Sequence, residues 1–94
     1  MYEIIYMKAD YEPWWQFDGW EEHIIERTAF ENEAEAKEYL CTLLKGLRSK
    51  FPFEKEKQKG QRYWAFWNVK EQCYCKDCEE DLQIYHGVIW KNIK

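Results

Sequence analysis

The sequence predicts an α+β fold: an antiparallel sheet of about four strands in the order β-β-α-β-β, with one long helix packed on one face. Three observations carry this. Residues 36–51 place Ala36, Leu40, Leu43, Leu44, Leu47 and Phe51 at spacings of three and four, an apolar stripe along one helical face. Residues 62–74 and 82–90 alternate with the period of two that strands require. Tyr2–Met7 (YEIIYM) is short, apolar and rich in strand-forming residues.

Each element follows from local chemistry. YEIIYM opens the chain as a strand. Residues 10–20 (DYEPWWQFDGW) hold Pro13 and Gly19 among acids and aromatics, which reads as a loop or a single turn. HIIERTAF at 23–30 reads as a second strand, although EEHIIER could also begin a helix. Asn32, followed by Glu35 at the third helical position, has the pattern of an N-cap with a capping-box acid, and Pro52 ends the helix. Residues 54–61 (EKEKQKGQ) are polar, charged and loosened by Gly60, so an exposed loop is expected there. In the next strand Tyr63, Ala65, Trp67 and Val69 share one face and Trp64, Phe66, Asn68 and Lys70 the other. Leu82, Ile84, His86, Val88 and Trp90 share a face of the last strand, which is expected to pair with the preceding one as a hairpin. One helix covers one face only. The aromatics on both sides of the Tyr63–Val69 strand therefore call for a second cover, and the tryptophan loop is the natural candidate.

Ninety-four residues are enough for a single domain spanning 1–94, and six tryptophans, seven tyrosines and five phenylalanines supply its core. No apolar run is long enough to cross a membrane, and MYEIIYMKAD lacks the features of a signal peptide, so a cytoplasmic protein is expected. The net charge of −4 conceals a strong asymmetry. Residues 1–44 carry 3 basic and 11 acidic side chains, whereas residues 45–62 carry 7 basic and 2 acidic ones. An acidic whole disfavours general nucleic-acid binding.

Glu12-Pro13-Trp14-Trp15, Gly19-Trp20-Glu21-Glu22 and the run Cys75-Lys76-Asp77-Cys78-Glu79-Glu80-Asp81-Leu82-Gln83-Ile84-Tyr85-His86-Gly87 together resemble a family of small proteins from low-GC Gram-positive bacteria. It is filed as domain of unknown function ten-thirty-three. The resemblance implies a small cytoplasmic bacterial protein. It brings no reaction, cofactor or catalytic residue.

Three constellations bear on function. Trp14, Trp15, Phe17 and Trp20 stand among Glu12, Asp18, Glu21 and Glu22, a composition suited to a cationic ligand or a basic peptide on a protein partner. The competing reading is that these rings simply cap the sheet, and the two are compatible if two tryptophans pack inward and one stays out. Cys73, Cys75, Cys78 and His86 could make a Cys3His zinc site, but His86 lies on an apolar face and better fits a hydrogen-bonded core histidine. The acids at 77 and 79–81 disfavour a reactive thiolate, so a plain acidic turn between two strands is preferred to a metal or redox site. Lys55, Lys57, Lys59 and Arg62 leading to Trp64 resemble a single-strand nucleic-acid platform, but such a charge run is more often a solvated guard against aggregation.

Ser49 is the one serine, and no serine-histidine-acid arrangement can be placed around it. His23 beside Glu21 and Glu22 is weak as a general base. The expectation is a non-catalytic module that binds another protein through the acidic tryptophan loop, without a cofactor. A zinc-stabilised module and a single-strand nucleic-acid binder are the alternatives.

Overall fold

The computed structural model describes residues 1–75 and 80–92. The α+β architecture is as expected: one long helix, α1 (Glu33–Lys50), packs on an antiparallel sheet. The sheet has five strands where about four were expected. They are β1 (Tyr2–Ala9), β2 (Ile24–Phe30), β3 (Phe53–Lys59), β4 (Gln61–Cys75) and β5 (Glu80–Asn92), arranged β2-β1-β5-β4-β3. The extra strand is the segment expected to be an exposed loop. Residues 53–59 pair with β4 from Phe53↔Trp67 to Lys59↔Gln61, and Gly60, at φ 72°, makes the reversal. Its Glu-Lys alternation is that of a solvated edge strand: charge made it look like loop, whereas main-chain pairing with β4 decides its structure.

The open choice at 23–30 resolves in two parts. Trp20–His23 forms one 3-10 turn, and β2 starts at Ile24. The helix starts as the sequence indicates. The Asn32 side-chain oxygen accepts hydrogen bonds from the Ala34 and Glu35 amides at 2.8 and 3.4 Å. These satisfy two of the amide donors that a helix leaves open at its first turn. Acids stand in that first turn and Arg48 and Lys50 in the last, the arrangement the helix dipole favours.

Two cores lie on opposite faces of the sheet. On the helix face, Ala36, Leu40, Leu44 and Leu47 meet Ile4, Trp64, Phe66 and Val88. On the other, Ile5, Met7, Ala9, Tyr63, Ala65 and Ile89 pack with Trp14 from the loop, supported by half-buried Tyr11, Trp20, Trp67 and Tyr85. Because both faces are covered, the central strand β5 buries four consecutive residues, His86 to Ile89. The expectation that the tryptophan loop covers the second face is met.

Candidate functional site

The loop between β1 and β2 is built from two tight turns. In Glu12-Pro13-Trp14-Trp15 the Trp15 amide donates to the Glu12 carbonyl at 3.2 Å, with Pro13 in the second turn position that its fixed φ suits. In Phe17-Asp18-Gly19-Trp20 the Trp20 amide donates to the Phe17 carbonyl at 3.0 Å. Gly19 there adopts φ 84° and ψ 8°, the left-handed values a type II turn needs at its third position. The Glu22 amide then donates to the Gly19 carbonyl at 3.1 Å and starts the 3-10 turn.

These turns sort the aromatic side chains by depth. Pro13 is fully buried and Trp14 is 7 % exposed. They sit close against the sheet because Ala65 and Gly87, paired across β4 and β5, are both small. A β-carbon at Gly87 would lie 2.7 Å from Pro13 Cβ, so only glycine admits the loop at this depth. Trp20 is half-buried in the same cluster. Trp15 and Phe17 turn outward, 45 % and 55 % exposed. Their rings lie nearly parallel, 10° apart with centroids at 6.2 Å, and Trp15 Nε1 donates to the Glu12 carboxylate at 3.3 Å. Tyr11 meets Phe17 edge-on at 5.0 Å and His23 at 5.6 Å.

The basic segment arrives beside this loop, a juxtaposition the sequence does not display. Along β3 the side chains alternate between faces, so Lys55 and Lys57 share the loop side while Glu54 and Glu56 share the helix side. Lys57 Nζ lies 5.5 Å from the ring centroids of both Trp14 and Trp15, and Lys55 Nζ lies 5.6 Å from Trp14. Such cation–ring contacts contribute about 0.5–1 kcal/mol each at exposed sites. On the helix side Arg48 grips Glu54 with two hydrogen bonds of 2.8 and 3.0 Å, and Arg62 donates to Glu56 at 3.0 Å.

The loop's carboxylates shape the local field. Burial first, then the charges of Asp10 and Glu21, push the Tyr11 phenol up. Burial and then Glu12 do the same to Tyr85. Asp18, Glu21 and Glu22 are exposed. The site is an outward aromatic pair with carboxylates on its own loop and lysines on the adjoining strand. Phe53, 43 % exposed and stacked on Trp67 at 5.7 Å, extends the aromatic surface along β3. The sequence does not mark Phe53, because the residues that follow it, 54–61, have the composition of an exposed loop.

The other candidate residues are dispersed. Trp64 is 1 % exposed on the helix face, with the Arg62 guanidinium 4.8 Å from its ring centroid. It therefore lies across the sheet from Lys55 and Lys57 and offers no open ring for a base. Lys59 pairs with Gln61 at the end of the hairpin. His86 is 7 % exposed, shares a 2.6 Å hydrogen bond between Nδ1 and the Tyr6 hydroxyl, and lies 4.3 Å from the Phe51 ring centroid. That is the core histidine anticipated from its apolar face. In the sheet register His86 pairs with Phe66, whereas Cys73 pairs with Leu82 and Cys75 with Glu80. Four residues along β5 separate His86 from the Cys73 pair, about 13 Å at ~3.3 Å per residue. The register thus does not bring His86 to either cysteine. Cys78 lies outside the described residues. Among the described residues no cluster of three or more metal-ligating side chains forms, and no helix is long and apolar enough to cross a membrane.

Comparison with known families matches residues 1–93 to the family described as Protein of unknown function (DUF1033). The chain belongs to the DUF1033 family. Two of the segments that suggested it lie in this loop: EPWW forms the first turn, and GWEE closes the second and makes most of the 3-10 turn. In this DUF1033 protein, those segments are part of the frame that buries Trp14 and leaves Trp15 exposed. No curated protein and no solved structure matches the chain.

Proposed function

We propose that this protein is a non-catalytic binding module that engages a basic surface of another protein through Trp15, Phe17 and the carboxylates of Asp18, Glu21 and Glu22. The observation that carries the reading is the pair of near-parallel, half-exposed rings of Trp15 and Phe17, held outward by a buried Pro13–Trp14 anchor. Large rings fixed on a rigid base lose little conformational entropy on contact, and such residues dominate the energetics of protein interfaces. Arginine side chains suit the site best. A guanidinium stacks on an exposed ring and pairs with a carboxylate at once. Lys57 already covers one side of Trp15, which leaves Phe17 and the carboxylate side of the loop for the partner.

The test separates anchor from contact. Trp15→Ala/Phe17→Ala should stay folded by far-UV circular dichroism and lower the melting temperature by only a few degrees, because about half of each side chain is solvated, and should lose capture of its protein partner from native extract by tenfold or more, as expected for central aromatic contacts. Trp14→Ala should lower the melting temperature much further. Undiminished capture by the Trp15/Phe17 variant would remove the proposal.

A further inference from the structure

The two edges of the sheet are defended unequally. β3 closes one edge with Glu54-Lys55-Glu56-Lys57-Gln58-Lys59, an unbroken polar run that discourages a further strand. β2 closes the other with Ile24-Ile25-Glu26-Arg27-Thr28-Ala29-Phe30, and Ile25 is 57 % exposed. A bulge disturbs only the start of β2: Glu26 pairs with Tyr6 and Ile24 with Met7, so Ile25 is passed over. From Glu26 to Phe30 the pairing with β1 is regular, and among the described residues no strand lies beyond it. An edge strand of this kind presents a row of main-chain donors and acceptors ready for pairing.

We propose that β2 pairs antiparallel with β2 of a second copy, joining two five-stranded sheets into one. The charge pattern selects the register. A two-fold axis through the sheet keeps each residue on its own face, so one residue of β2 must lie opposite its own counterpart. Centring on Glu26 or Arg27 sets like charges against each other. Centring on Thr28 sets Arg27 against Ala29. Centring on Ala29 sets Arg27 opposite Glu31 of the second copy, the exposed residue that directly follows β2, twice by symmetry, with two small exposed alanines at the axis. Arg27 is suited to this contact, since its side chain is 49 % exposed and only loosely held by Glu3 at 3.6 Å. The same register sets Thr28 against Phe30 on the helix face. There Phe30 and Tyr39, with ring centroids 5.4 Å apart, line an open depression with Glu35, Glu38 and Thr42 beside the edge. A second copy on β2 would cover it.

Sedimentation equilibrium of the whole chain, taken up to millimolar concentration, tests this. The wild type should reach twice the 11.7 kDa chain mass. Arg27→Glu and Glu31→Arg should each weaken the dimer about tenfold or more, since each sets two like-charge pairs across the axis. The double variant should recover the wild-type association. Far-UV circular dichroism confirms that each variant is folded. A monomer at every concentration overturns the proposal, as does a dimer indifferent to either reversal or a double variant that stays apart.

Discussion

Gly87 sits in the middle of a strand that otherwise carries side chains on both faces, and its missing β-carbon is what lets Pro13 reach the sheet. A methyl group there would stand 2.7 Å from Pro13 Cβ and 3.0 Å from Met7 Cγ. Neither Pro13, fixed in its turn, nor Met7, buried at 1 %, has room to yield. Gly87→Ala should therefore destabilise the protein by about 1–3 kcal/mol, the usual cost of overpacking. Urea denaturation monitored by tryptophan fluorescence measures it, and an unchanged midpoint would show that the loop is not seated as described. This residue was legible in part: a glycine inside an alternating strand signals a close backbone approach. Which residue approaches is not written anywhere near it.

At the scale of elements, α1 follows local rules from end to end. Asn32 caps it, Ala36, Leu40, Leu44 and Leu47 bury one stripe, and the chain turns extended at Phe51 ahead of Pro52. Asn32→Ala should cost about 1 kcal/mol, read as a lower denaturation midpoint, because two amides lose their acceptor. Asn32→Asp, which keeps an acceptor, should recover most of it. A midpoint unmoved by Asn32→Ala would mean that other groups satisfy those amides. β3 behaves in the opposite way. Its run of glutamates and lysines has low strand propensity, and its alternation alone does not set it apart from a solvated loop. It forms because β4 offers it a ladder, Glu54 and Glu56 find Arg48 and Arg62, and Lys55 and Lys57 find the rings of Trp14 and Trp15. Charge that looked like solvation is shared between the two faces of an edge strand.

At the scale of the whole molecule, two cores share one sheet. Val88 and Ile89, adjacent in β5, are both fully buried, one in each core. Loss of either core exposes one side of the strands that support the other. Leu44→Ala on the helix face and Trp14→Ala on the loop face should each cost about 2–5 kcal/mol. Both should lower one common melting transition, followed in parallel by far-UV and near-UV circular dichroism. Two separate transitions, or a variant that affects only one spectral region, would show that the layers unfold independently.

Near neighbours along the chain settle the helix and its cap, the alternation of the long strands, the core setting of His86 and the need for a second cover over an aromatic sheet. Those properties follow from periodicities of two and 3.6 residues and from turn chemistry, which act over a few residues. Folding alone settles that Trp14 is buried and Trp15 exposed, that the basic segment is a strand lying against the tryptophan loop, and that Trp64 and the lysines face opposite sides. The first two are relations between segments some 40 residues apart or more, the third follows from the pairing of β3 with β4, and all are set by sheet order and register. A chain carries no local mark of the partner it will meet across a sheet.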